Sequence, residues 1–131
     1  MVTKTITAAT AGINSYRVEV EVDVVNALPN ISIVGLPDNA VSEARERVQS
    51  AIKNSGFSFP LGRVIVNLAP ADIRKEGTNF DLPIAIGILK EQGIDIKDDL
   101  NTGFIGELSL DGSLRKINGA LPLVSGLKES G

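Results

Sequence analysis

The chain has 131 residues, of which 43% are apolar and 22% are charged, a balance typical of a globular domain. It contains neither cysteine nor histidine, which excludes disulfides, the common zinc sites, cysteine nucleophiles and histidine-based triads. The net charge of −3 argues against a general affinity for polyanions, and the sequence lacks a signal peptide or an apolar run of membrane-spanning length, so we expect a cytoplasmic protein.

The first part of the chain predicts an antiparallel meander of three strands. Residues 4–9 form the first, and Ala11-Gly12 supplies a turn. In the second, residues 16–25, valines alternate with charged residues, which is the period-two pattern of a strand with one solvated face. Pro29-Asn30 then leads into the third strand, residues 31–34.

Two helices with a strand between them come next. Asp38 is placed to cap the first helix, and Gly56 to end it in a left-handed conformation. Residues 63–68 are apolar on both faces, which predicts a central strand. Residues 81–92, with Pro83 in the first turn, are apolar nearly all round and predict a buried helix. The apolar stripe of the first helix consists of Val41, Ala44, Val48, Ala51 and Ile52.

The last part of the chain predicts a hairpin and a third helix. Asp111-Gly112 lies between residues 102–110 and 113–117, a pattern typical of a type I′ turn. The third helix is expected to begin near Ala120. The whole pattern predicts one α+β domain over residues 1–131, with a mixed sheet, an antiparallel N-terminal meander and two to three packed helices.

The charged loop around Gly77 is the first candidate site. It follows the central strand and leads to the start of a buried helix, where backbone N–H groups can bind an anion or support a nucleophile. The alternative is structural: Gly77 makes the turn, and Asn79 or Asp81 caps the helix. The glycine pattern of a phosphate-binding loop does not occur in the sequence.

Basic residues form the second candidate, as contacts for nucleic acid or for a partner. On the first helix they alternate with acidic residues, which equally fits a solvated face with weak i,i+4 pairs. The candidates are Arg45, Arg47, Lys53, Arg74 and Lys75.

Three sequence blocks resemble the N-terminal domain of the magnesium-chelatase-like AAA+ ATPases of the competence-associated ComM type. The first covers residues 34–57 and includes Gly-Leu-Pro-Asp at 35–38. The second covers residues 66–83 and includes Asn-Leu-Ala-Pro-Ala-Asp-Ile-Arg-Lys-Glu-Gly at 67–77. The third is Gly-Glu-Leu-Ser-Leu-Asp-Gly at 106–112.

The resemblance implies a fold like the second domain of ribosomal protein S5, shared with the proteolytic domain of Lon-type proteases. It also implies an AAA+ ATPase domain beyond Gly131, with ATP and Mg bound there and no cofactor or metal in this chain. The implied role is DNA branch migration during natural transformation. The implied partners are the AAA+ domain of the same polypeptide and a homo-oligomeric ring, without a membrane, and direct contact with DNA stays open.

The resemblance to Lon supplies a comparison for catalysis. The position matching the Lon serine is Asn79, and the position matching the Lon lysine is Leu121, so both members of the dyad are missing and we expect this chain not to be an enzyme. Two alternatives remain: a peptidase with a displaced pair of Thr78 and Lys116, and a stand-alone nucleic-acid-binding module.

Overall fold

The computed structural model describes residues 2–11, 14–71, 75, 77–96 and 102–115 of the chain. No helix in these ranges is both long and apolar enough to cross a membrane. The elements within them, in chain order, are β1 Thr3–Ala11, β2 Asn14–Val25, β3 Asn30–Val34, α1 Asp38–Asn54, β4 Arg63–Ala69, α2 Asp81–Glu91, β5 Glu107–Leu108 and β6 Leu114–Arg115.

The main sheet is mixed, and its strand order is β1-β2-β4-β3. The predicted α+β class is therefore confirmed, and so is the central position of β4. β1 pairs antiparallel with β2, and β2 pairs antiparallel with β4. The place predicted for the third strand was wrong: β3 lies on the far side of β4 and runs parallel to it. The reason is that α1 connects β3 to β4, and a helical crossover joins parallel strands.

The core lies between the sheet and the two helices. Val18, Val20 and Val22 on β2 are fully buried, while the charged residues between them are partly exposed, as the alternation predicts. α2 packs closely on this face at Gly87, where an added Cβ would come within 2.7 Å of Val22 Cγ2. A larger residue at this position would hold the helix away from the sheet.

α1 buries the predicted stripe, with Ala44, Val48, Ala51 and Ile52 in the core. Its end is also as predicted: Gly56 has a φ of +89°, and its N–H donates to the carbonyl of Lys53 at 3.2 Å. The predicted cap at its start was wrong. Asp38 is the first helical residue, the capping position belongs to Pro37, and no side chain caps the helix. Asp38 still places a negative charge in the first turn, where the helix dipole favours it.

β5 and β6 form a hairpin whose first strand is shorter than predicted and whose turn is different. The Ser109 N–H donates to the Ser113 carbonyl at 2.8 Å, which leaves three residues in the loop. Gly112 has a φ of +94°, whereas Asp111 lacks the positive φ that a type I′ turn requires. The Asp111 carboxylate instead accepts from the Ser113 N–H at 2.9 Å. The third helix predicted near Ala120 lies outside the described residues.

Candidate functional site at the start of the second helix

Asn79 lies just before α2 and is 5% exposed. Its side-chain Nδ2 donates to the Ala8 carbonyl of β1 at 3.0 Å, and its own carbonyl accepts from the Gly106 N–H at 3.1 Å. Gly77, with a φ of +96°, makes the turn that brings Asn79 to this position. Asn79 therefore joins β1, the start of α2 and the segment before β5.

Asp81 is the first residue of α2 and is 1% exposed. Arg47 of α1 donates to both of its oxygens, from Nε at 2.6 Å and from Nη2 at 3.2 Å. The Leu108 N–H of β5 donates to Oδ2 at 3.1 Å. A two-pronged guanidinium contact of this kind fixes the geometry of both partners, so Asp81 joins α1, α2 and β5.

Neither Asn79 nor Asp81 caps α2, so the predicted capping role was wrong. The capping position is Phe80, in a helical conformation and without a side-chain capping bond. The polar side chains on either side of it reach distant elements instead, because both lie in the core where their hydrogen-bonding groups need partners.

Arg47 and Asp81 change each other's pKa. Burial raises the pKa of the Asp81 carboxyl, and the hydrogen bonds from Arg47 and from the Leu108 N–H oppose that rise. The hydrogen bond to Asp81 raises the pKa of Arg47 further above its already high usual range, so the guanidinium stays charged. Arg47 is also 3.9 Å from the exposed Glu43, the partner at i,i+4 that the sequence indicated.

The other predicted basic contacts lie in separate places. Arg45 lines a pocket beside β3, where its Nη1 is 3.5 Å from the Ile31 carbonyl. Lys53 is exposed in the last turn of α1. Lys75 is 1% exposed, and its Nζ donates to the Pro70 carbonyl at 2.5 Å. Arg74 lies outside the described residues, and contact of this group with nucleic acid or a partner stays a prediction.

Leu121, the position that matches the Lon lysine, lies outside the described residues. So does Lys116, the base of the alternative displaced pair. Thr78, the alternative nucleophile, is half-buried, and its carbonyl accepts from the Asp81 N–H at 3.3 Å. Asn79 itself offers an amide, which has no ionisable group to activate. What the arrangement around Asn79 and Asp81 does is hold β1, α1, α2 and the hairpin together.

The ion pair between Arg47 and Asp81 was missed by sequence reasoning. The alternation of charges on α1 indicated a partner four residues away, yet the main partner lies 34 residues along the chain. A signal was present: Asp81 is the single charged residue in the first two turns of α2, which are otherwise apolar, and a buried carboxylate requires a cation or several donors.

The mixed sheet with two helices packed on it, and the polar contacts at the start of α2, define an α+β domain. Residues 20–131 match the protein family described as "Subunit ChlI of Mg-chelatase". The match covers well over half of the chain, and the chain belongs to this family.

Individual relatives agree with the family. The chain is 43% identical over 123 residues to "Competence protein ComM" of Haemophilus influenzae, covering 93% of this chain and 24% of that protein. It is 45% identical over 127 residues to "Uncharacterized protein YifB" of Escherichia coli, covering 95% of this chain and 25% of that protein. It is 40% identical over 124 residues to "Uncharacterized protein Rv2897c" of Mycobacterium tuberculosis, covering 94% and 25%. The chain thus spans about a quarter of the length of these relatives.

Proposed function

We propose that this chain is the non-catalytic N-terminal module of a magnesium-chelatase-like AAA+ ATPase. The module serves an ATP-driven DNA-processing machine by packing against other subunits, by contacting DNA, or by both. ATP and Mg are bound by the remaining part of the polypeptide, and the active form is a homo-oligomeric ring in the cytoplasm.

The observation that carries the non-catalytic role is the set of bonds made by Asn79. This residue occupies the position that matches the Lon serine, and its amide donates to a buried backbone carbonyl on β1. A group held in this way serves the fold. The neighbouring Asp81 is 1% exposed, and both of its oxygens accept hydrogen bonds from Arg47 or the Leu108 N–H, so a substrate has no access to this carboxylate.

The role in DNA processing is supported by the relatives. One of them bears the name of a competence protein. The alignment with it covers 93% of this chain and 24% of that protein. A module of this size, joined to a larger part of the same polypeptide, fits a machine in which the larger part hydrolyses ATP. Because the charge of this chain is −3, DNA contact would come from local basic side chains such as Lys53.

ATP hydrolysis and assembly of the full-length protein test this function. We expect the full-length protein to hydrolyse ATP faster with branched DNA and to form a ring detectable by light scattering. A form that lacks residues 1–131 is expected to lose the stimulation by DNA, the ring, or both.

The function is contradicted if the full-length protein does not hydrolyse ATP, or if removal of residues 1–131 changes neither assembly nor the response to DNA. A matched control is the pair of substitutions Arg47→Met and Asp81→Leu in the full-length protein, which replaces the ion pair by apolar side chains of similar size. We expect this control to retain assembly, since it alters the interior of the module and leaves its surface in place.

A further inference from the structure

The side of α2 that faces away from the sheet is apolar. Gly87 marks the side that faces the sheet, because an added Cβ there would lie 2.7 Å from Val22 Cγ2 on β2. Leu82, Ile86 and Leu89 lie on the other side of the helix, at the i, i+4 and i+7 spacing of one stripe. These three residues form the outer face of α2. A helix that is apolar all round is typically one that packs against partners on both sides.

The outer face of α2 borders a groove between α1, α2 and the hairpin. The groove has a volume of about 110 Å³, and most of the residues that line it are apolar. A cavity of about 150 Å³ holds a benzene molecule, so this groove has room for one apolar side chain. Leu82 and Ile86 line the groove and are partly exposed, and Phe57, which also lines it, is 39% exposed. An apolar groove of this kind indicates a surface that a further segment covers.

The strand β6 ends beside the outer face of α2. An added Cβ at Gly106 would lie 2.9 Å from Leu114 Cδ2 and 3.5 Å from Leu82 Cβ, so Leu114 and Leu82 flank the same glycine. Arg115, the next residue, is the last of β6. Five extended residues span at most about 18 Å, and the outer face from residue 82 to residue 89 is about 11 Å long. A segment that begins near residue 120 therefore starts within reach of the whole outer face.

Residues 120–131 lie outside the described residues, and their sequence carries a stripe that matches this face. Pro122 suits the first turn of a helix. At helical spacing the apolar residues fall on one side, and Ser125, Gly126 and Glu129 fall on the other. The apolar residues are Ala120, Leu121, Leu123, Val124 and Leu127. A helix with this pattern requires an apolar surface to pack against.

We propose that the apolar stripe of residues 120–127 docks on the outer face of α2 within the same chain. One of its side chains enters the groove beside Phe57, and α2 becomes the central helix of the domain, with packing partners on both sides. A neighbouring copy, as in the proposed ring, would have to bring the same stripe across a subunit boundary, whereas the chain's own segment begins about five residues from the face. This proposal goes beyond the proposed function and does not depend on it.

Engineered disulfides in the 131-residue chain test the docking, and the chain has no cysteine of its own that would interfere. Ile86→Cys is combined, one pair at a time, with cysteine at Leu121, Val124 or Leu127. A disulfide requires Cα atoms within about 7 Å of each other, so only a docked segment holds a pair in range. We expect at least one of these pairs to form an intramolecular disulfide, detected by the mass and the gel mobility of the unreduced monomer.

The matched controls carry Ile86→Cys with Ser125→Cys or Glu129→Cys, on the other side of the same segment. We expect the control pairs to oxidise at least about tenfold more slowly than the best pair from the apolar stripe, because their thiols point away from α2. Equal rates for the two sets would overturn the docking. So would the absence of any disulfide from the stripe, or disulfides that join two copies of the chain in place of one.

A pair of adjacent substitutions gives a second readout. Val124→Asp places a carboxylate in the apolar stripe, and we expect it to raise the equilibrium constant for unfolding in urea at least about tenfold, because the charge must lose water or break the contact. Ser125→Asp adds the same charge one residue along, on the other side of the segment, and should change that constant less than about twofold. Equal unfolding constants for the two variants would overturn the proposal.

Discussion

Arg45 and Arg47 lie two residues apart on α1, yet the two regions that they reach differ in nearly every respect. Arg47 makes two hydrogen bonds of 2.6 and 3.2 Å to the buried Asp81. Arg45 makes one hydrogen bond to the described part of the chain, at 3.5 Å to the Ile31 carbonyl, and lines a pocket beside β3. Residues at this spacing point to different sides of a helix. One helix therefore uses one arginine to hold the domain together and leaves the other beside an open pocket.

The largest expected effect comes from removing Asp81. Asp81→Ala leaves Arg47 partly buried without its main partner and leaves the Leu108 N–H unpaired. We expect the free energy of unfolding, measured by urea denaturation, to fall by about 3 kcal/mol, at the lower end of the range for broken buried pairs because Arg47 retains some exposure.

Two further variants sharpen this prediction. Glu43→Gln removes only the exposed i,i+4 partner of Arg47 and should change stability by less than about 0.5 kcal/mol. Arg47→Met combined with Asp81→Leu should recover most of the loss, because no buried charge remains alone. Equal effects of Asp81→Ala and Glu43→Gln would show that the two carboxylates are equivalent and would contradict the account.

The second effect concerns the amide of Asn79. Asn79→Ala leaves the buried carbonyl of Ala8 without this donor, and we expect a loss of about 2 kcal/mol in the same denaturation experiment. Asn67→Ala is the matched control, since its amide donates to Glu21 in a partly exposed position, and it should cost about 0.5–1 kcal/mol. A smaller loss for Asn79→Ala than for Asn67→Ala would contradict a structural role for Asn79.

A third, smaller effect is expected at the turn before α2. Gly77 has a φ of +96°, and an added Cβ would lie 3.2 Å from Asn79 Oδ1. Gly77→Ala should cost about 1–2 kcal/mol because L residues are strained in this conformation. Gly93→Ala is the matched control, because Gly93 has a φ of +88° but open space around it. It measures the cost of backbone strain alone, without a contact to Asn79. We expect Gly77→Ala to be the more costly of the two, and equal costs would contradict a contact with Asn79.

At the two loops that carry Leu28 and Leu61 we expect almost no effect on the stability of this chain. Leu28→Ser and Leu61→Ser remove side chains that are nearly fully exposed, so each should change the free energy of unfolding by less than about 0.5 kcal/mol. Leu68→Ser, at a fully buried position of β4, provides the contrast and should cost several times more. A substantial loss at Leu28 or Leu61 would show that these leucines serve the fold.

The smallest effect is a pH dependence at the hairpin. Hydrogen bonds from the Ser113 N–H and hydroxyl lower the pKa of the exposed Asp111 below its usual value of 3.8. A carboxyl whose pKa is lowered by folding contributes stability above pH 3.8 and loses it as the pH falls through the folded-state pKa. An NMR titration should show the low value, and Ser113→Ala should raise it. An unchanged titration in that variant would contradict the assignment.

The sequence predicted the elements of the fold better than the partners of its polar side chains. The valine alternation of β2 and the apolar composition of β4 depend on local pattern, and both predictions were confirmed. The position of β3 depends on the crossover through α1, which a local turn signal at Pro29 does not reveal. The partner of Asn79 is 71 residues away, and only packing brings β1 to that place.

Cleavage of an unfolded protein substrate by the full-length protein, in the presence of ATP, tests the central claim most directly. We expect no cleavage by the native protein. We also expect none by Asn79→Ser, because a hydroxyl at position 79 would still lack a base, since the position that matches the Lon lysine is Leu121. Cleavage by the native protein that disappears with Thr78→Ala would contradict the account, since it would show that the start of α2 carries a displaced nucleophile.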